Sequence, residues 1–382
     1  MSSVSLAHRS IQPASYLPTL DGWRAVAILG VMICHSCDAL FHTDAPYPNA
    51  FLYGLTRLGA LGVDIFFGIS GFLICSRLLG EHQKTGCISL KRFYVRRFFR
   101  ILPPYLTYLG GLALLTILGL VAVSSQAWWS CLLFYRNYLP VGVSGGFYTG
   151  HFWSLAVEEH FYLLWPGFLV LAGIPRARKL VVALAGMIAA WRVWEFRHQW
   201  LGDVIPGVGF FPRTDIRLDG LLWGCWMALM LHDPAWRYRF TRCFSPSVWI
   251  GLAVAFVACV RYQPPLAMMW QSMLIPLLLA GTVLRPEGVA GRVLELPAVR
   301  WVGRISYSLY LWNSLFFAGI DNPRPLPLGF LQTLPWSIVA VFACATLSYY
   351  FVEQPLIRWG HSLTSSSSLP DQSGTHRRAR AA

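Results

Sequence analysis

The chain has 382 residues, of which 55% are hydrophobic and only 13% charged, with a net charge of +14. A soluble domain carries roughly twice that charge fraction, so a soluble enzyme is excluded and an all-α, polytopic membrane helical bundle is expected. The positive charge is spread over loops between apolar runs and not gathered on one face, so no nucleic-acid partner is expected.

Residues 1–19 are polar and read as a cytoplasmic segment. The first apolar run, "LDGWRAVAILGVMICHS" (20–36), holds Asp21, Arg24 and His35. Ionisable groups in hydrocarbon are costly and point to a functional site with a facing partner. Arg24 and His35 are eleven residues apart, about three helical turns, so they share one face and stand about 16 Å apart along it. Arg24 falls near the inner mouth and His35 beyond the midplane. Cys34 and Cys37 flank His35, but a structural metal needs four closed ligands, so no metal is expected.

The second run contains "GVDIFFGISGFLI" (62–74), with Asp64, Ser70 and glycines that permit close helix approach. "LKRFYVRRFFR" (90–100) alternates cations with aromatics just ahead of the third run and also suits anionic lipid headgroups. The fourth run, "HFWSLAVEEHFYLLWP" (151–166), brings Glu158, Glu159 and His160, with Ser154, Glu158 and Tyr162 sharing a face at i, i+4, i+8. Depth along the helix puts Glu158 level with His35. The two form either an acid/base pair or an ion pair that only fixes packing.

"FPRTDIRLDGLLWG" (211–224) places Arg213, Asp215, Arg217 and Asp219 at the outer mouth of the sixth run. Charges of both signs there suit a polar acceptor, with Arg217 and Asp219 as its contacts beside Ser154. "ISYSLYLWN" (305–313) adds hydroxyls to the same region. In all, about ten helices are predicted, near 20–40, 51–79, 101–123, 152–173, 179–195, 214–232, 246–262, 267–284, 305–320 and 329–353. With the N-terminus inside, Lys and Arg divide 21 to 6 between inner and outer loops. This asymmetry predicts cytoplasmic termini. The Ser-rich, basic stretch 357–382 reads as a disordered tail.

Taken in order, "LDGWRA" with His35 eleven residues after Arg24, "GVDIFFGISGFLI", "RRFFRILPPY" and "FWSLAVEEHFYLLWP" resemble the acyltransferase-3 family of integral membrane acyltransferases. The resemblance covers most of the chain, residues 20–356. Trp23 replaces the usual Leu, His160 a common Gln, and Asn313 a common His. The last departure leaves any proton-shuttling role of that position absent or reassigned. The appended hydrolase-like domain of some relatives is expected to be missing.

The resemblance implies transfer of an acyl group, most often acetyl, from cytoplasmic acyl-CoA to a hydroxyl of a glycan, lipid-linked sugar or glycosylated small molecule, with no metal. Arg97 and Arg100 would bind coenzyme A phosphates. Arg24 would guide the pantetheine arm and stabilise the thioester oxyanion. His35 would act as general base or transient acyl carrier, oriented by Glu158, with Glu159 as the fallback. The chain would sit in the cell membrane with both termini cytoplasmic. The rival reading, a proton-coupled transporter or lipid-linked sugar flippase with a His35–Glu158 relay, expects inverted repeats; the sequence shows none.

Overall fold

A computed structural model describes residues 16–40, 50–140, 146–264, 266–317 and 326–365. The described residues are helical almost throughout, and each of the ten expected apolar runs contains helix. Six helical stretches are long and apolar enough to cross a membrane: Pro18–Cys37, Tyr53–Thr85, Leu90–Ile117, Gly146–Ala172, Ala267–Leu284 and Trp336–Thr364. A seventh arises if Pro234–Cys243 and Pro246–Tyr262, bent by 84°, form one broken span. The remaining expected spans, in Ile174–His198, Asp219–His232 and Ser306–Phe316, are helices that fall short of that length or apolarity.

The first four helices set the frame: α1 (Pro18–Leu40), α2 (Ala50–Ala60), α3 (Gly62–Thr85) and α4 (Leu90–Ile117). Local chemistry marks their ends. Gly86, at φ 74°, terminates α3 in the left-handed conformation that glycine tolerates. Ser89 then caps α4 by accepting from the Arg92 amide.

Helix α3 lies at the centre, and its closest partner is the helix Asp219–His232. A Cβ at Gly71 would land on the Leu221 carbonyl, and one at Gly224 on the Gly68 carbonyl. The two backbones therefore touch, as the glycines of the second run foretell. The core around them is built from Phe67, Ile69, Leu78, Leu79, Tyr105, Tyr108 and Phe152, all essentially buried. Leu114, Ile117 and Leu171 project outward, as suits a surface in contact with lipid.

Trp23, the departure in the first motif, donates its indole N–H to Thr282 at 2.9 Å and ties α1 to the helix Ala267–Leu284. The last helical stretch runs without a break from Trp336 through a π-helical turn, Tyr349–Glu353, to Ser365. Residues 357–365 thus belong to the helical body, where α4 packs on them, and not to a disordered tail. Residues 1–15 and 366–382, expected as cytoplasmic segment and tail, lie outside the described residues.

Candidate active site

Two cavities that share Arg24 and Arg100 in their walls lie between these helices. The wider, about 750 Å³, lies among the start of α1, the end of α3, Arg100 of α4, the end of Asp219–His232 and the π-helical turn. Its walls carry Arg24, Arg77, Arg100, Arg237, Arg304 and Arg358 against two carboxylates, Asp21 and Glu353. Asp21 is paired to Arg24 at 3.2 Å and accepts from the Tyr16 hydroxyl. Burial, then that carboxylate, raises the Tyr16 hydroxyl above its ordinary pKa and keeps it a donor. Among the described residues none of Arg77, Arg100, Arg237, Arg304 and Arg358 has a carboxylate within ion-pair distance. The vestibule is a cationic bowl with unspent donors, the chemistry that holds a polyanion.

The narrower cavity, about 90 Å³, shares Arg24 and Arg100 with the vestibule and is also lined by Ser70, Arg97, Ser154, Glu158, Tyr162 and Tyr310. Ser154, Glu158 and Tyr162 line it together, as their helical spacing predicts. Glu158 accepts from Ser70 at 3.0 Å and from Tyr162 at 2.5 Å. The Arg97 guanidinium sits 3.6 Å over the Tyr162 ring. Of the two predicted donor-binding arginines, therefore, only Arg100 lines the vestibule, while Arg97 serves the inner chamber beside Glu158. Glu159, the fallback, lines neither cavity.

His35 stands farther along α1 and lines neither of these two cavities. Its Nδ1 lies 2.5 Å from the Asn313 side-chain oxygen, whereas the bonds of Glu158 go to Ser70 and Tyr162. Asn313 is thus an orienting partner of His35, and the expected His35–Glu158 pairing is not formed by these bonds. Asn313 is fully buried and donates its amide nitrogen to the Tyr310 carbonyl one turn earlier. Tyr310 in turn donates its hydroxyl to the His151 carbonyl and lies 2.6 Å from the Ser154 hydroxyl.

Arg217 and Asp219 line neither cavity. Arg217 is paired with Asp64 at 2.7 Å and faces the rings of Phe67 and Trp153. Asp219 is paired with Arg192, which also holds the Ile216 carbonyl at 2.9 Å. Arg213 bonds Glu195 at 2.6 Å and Asp215 at 2.5 Å. The expected acceptor contacts are thus committed to buried ion pairs, for burial of a charge demands a partner. His160 bonds Thr214 at 2.7 Å, away from the chamber.

Residues that sequence reasoning passed over complete the site. Glu353 is 2% exposed and accepts from Ser308 at 3.0 Å. The π-helical turn, a feature frequent at functional sites, delivers it to the vestibule wall. Arg77, Arg304 and Arg358 complete the cationic lining. Isolated polar residues in otherwise apolar helices were the available signal. Among the described residues no cluster of three or more His, Cys, Asp or Glu could hold a metal ion.

The acyltransferase-3 family model, described as an acyltransferase domain, matches residues 17–353. Over 385 residues the chain is 26% identical to peptidoglycan O-acetyltransferase OatA of Listeria monocytogenes, covering 90% of this chain and 56% of that protein. A Bacillus subtilis protein, YrhL, provisionally named a peptidoglycan O-acetyltransferase, is 30% identical over 379 residues, covering 91% of this chain and 56% of its own length. A Staphylococcus aureus protein provisionally named an O-acetyltransferase is 28% identical over 376 residues, covering 90% of this chain and 58% of its own. The chain spans a little over half the length of these curated relatives. No solved structure matches.

Proposed function

The chain belongs to the acyltransferase-3 family, and from that premise we propose that it is a cell-membrane O-acetyltransferase moving an acetyl group from cytoplasmic acetyl-CoA to a hydroxyl of a peptidoglycan-type glycan. The observation that carries this reading is a vestibule lined by six arginines beside a narrow polar chamber, the two sharing Arg24 and Arg100 in their walls. Coenzyme A is a polyanion with one long, thin, weakly polar arm. Its phosphates match the wide cationic bowl, and only the thioester arm need reach the narrow chamber. The basic end of the bundle then faces the cytoplasm, with both termini on that side, in keeping with the 21-to-6 division of Lys and Arg.

In this reading Arg100, with Arg77, Arg304 and Arg358, holds the donor phosphates, and Arg24, paired with Asp21 in the wall common to both cavities, guides the thioester arm inward. His35 accepts the proton of the acceptor hydroxyl as that oxygen attacks the carbonyl carbon. The carbon–sulfur bond then breaks, and the departing thiolate takes the proton from the imidazolium. Glu158, fixed by Ser70 and Tyr162, acts on the chamber side as counter-charge to Arg97 and Arg24, and Ser154 lies on the acceptor's approach.

The test uses the full chain in nanodiscs with radiolabelled acetyl-CoA and soluble peptidoglycan fragments, the product identified by the mass of an added acetyl group. Label should appear on the glycan with wild type and vanish with His35→Gln, which keeps size and polarity but accepts no proton near neutral pH. Transfer by His35→Gln at the wild-type rate would overturn the assignment of the base. No label on the glycan with wild type in nanodiscs, together with passage of unmodified glycan across proteoliposomes, would overturn the enzymatic reading.

A further inference from the structure

We propose that Asn313 is a positioning residue that holds His35 in the tautomer protonated on Nδ1, making Nε2 the basic nitrogen and so deciding on which side of the ring the acceptor hydroxyl must lie. The inference rests on His35 as the base in the reaction above and adds which nitrogen acts and what selects it.

An asparagine amide has one acceptor end and one donor end. Here the donor end is spoken for, because Nδ2 faces the Tyr310 carbonyl and a carbonyl oxygen can only accept. Reversing the amide would set oxygen against oxygen in a position fully shielded from water, a costly arrangement. The Asn313 oxygen therefore faces His35, and the ring nitrogen 2.5 Å from it must carry the hydrogen. A neutral imidazole protonated on Nδ1 holds its lone pair on Nε2.

The carbonyl that dictates this is itself immobilised. Tyr310 anchors its turn of helix through its hydroxyl to the His151 backbone and the Ser154 side chain. The chain of bonds thus runs from the helix that lines the chamber, through one turn of Ser306–Phe316, to the nitrogen of His35. Unlike a carboxylate in the same place, the neutral amide directs the ring without adding negative charge beside it.

Four measurements decide the matter, each in nanodiscs with acetyl-CoA and soluble peptidoglycan fragments where turnover is read. Asn313→Asp keeps an acceptor facing Nδ1, and we expect turnover to survive with the acidic limb of the kcat profile moved to higher pH, because the carboxylate stabilises the imidazolium. Asn313→Leu keeps the volume but offers no acceptor; kcat should fall at least ~100-fold, the scale of a misdirected general base, with KM for acetyl-CoA unchanged. The 15N spectrum of histidine-labelled wild type, differenced against His35→Gln, should show His35 protonated on Nδ1 and bare on Nε2. It needs no Asn313 variant to fold. A bare Nδ1 in that spectrum, or wild-type kcat and pH profile in Asn313→Leu while His35→Gln is inactive, overturns the role of Asn313 and leaves the base in place. Wild-type turnover in His35→Gln overturns the base itself, and this proposal with it.

Discussion

At one end of α3 six arginines face a cavity with two carboxylates; at the other, Arg192, Arg213 and Arg217 meet Asp219, Glu195, Asp215 and Asp64. The residue type is the same, but Arg192 and Arg213 are buried whereas Arg77, Arg304 and Arg358 are exposed, and the consequences differ. An arginine whose donors end on a carboxylate of its own chain is architecture, because its charge is already compensated. An arginine that faces open volume with its donors uncommitted is held ready for an anion from outside. Counting arginines does not separate the two groups, whereas following each guanidinium to its partner does.

The comparison breaks most sharply at Glu195. Its carboxylate and Arg213 are 1% and 2% exposed, so Glu195→Ala leaves a buried cation with Asp215 as its remaining carboxylate and one donor unsatisfied, and should cost about 1–3 kcal/mol. Thermal unfolding in detergent should show a drop in Tm; a wild-type Tm would mean that this cluster is not structural. In the vestibule the reverse is expected. Arg100→Ala and Arg358→Ala should leave Tm near wild type while raising KM for acetyl-CoA by ten- to a hundredfold each, the worth of one charge-assisted bond at about 1.5–3 kcal/mol. Acetyl-dephospho-CoA sharpens this test. If a vestibule arginine holds the extra phosphate, its variant should no longer distinguish the two donors.

Salt should separate the regions further. Raising ionic strength screens charges exposed in an open cavity and should weaken donor binding, while the buried pairs keep their stability. Equal sensitivity of KM and Tm to salt would erase the distinction. The smallest effect belongs to Arg96, whose pair with Glu81 at 3.3 Å is about one-third exposed on the arginine side. Arg96→Ala should shift stability by under ~1 kcal/mol, as surface pairs do, and leave KM unchanged.

Much of the site follows from spacing within single helices. Arg24 and His35 lie on one helix, and Ser154, Glu158 and Tyr162 line one chamber, because the helical repeat alone decides which side chains share a face. Partners on other helices cannot be read that way. Asp64 lies 153 residues from Arg217, and Asn313 lies 278 from His35. That is why Arg217 and Asp219 look available to a ligand in the sequence and are neutralised in the fold. It is also why Glu158 was the expected partner of His35 when the bond is made by Asn313, visible beforehand only as a departure from a motif. Glu353 was hidden differently, since a π-helical turn shifts the register that a regular repeat would assign.

Arg24 and Arg100, which border both cavities, bear on a demand that chemistry alone does not make. A catalyst drawing its donor from one side of a bilayer and serving an acceptor on the other must not let ions leak between them. The two guanidinium groups bordering the cavity of about 90 Å³ set a fixed positive charge there that repels protons and metal cations, as an arginine does in water-selective pores. Under the proposed function, the same groups that draw in an anionic donor would also keep the membrane electrically tight. Proteoliposomes carrying the chain should hold a proton gradient as long as empty ones do, with or without acetyl-CoA turning over.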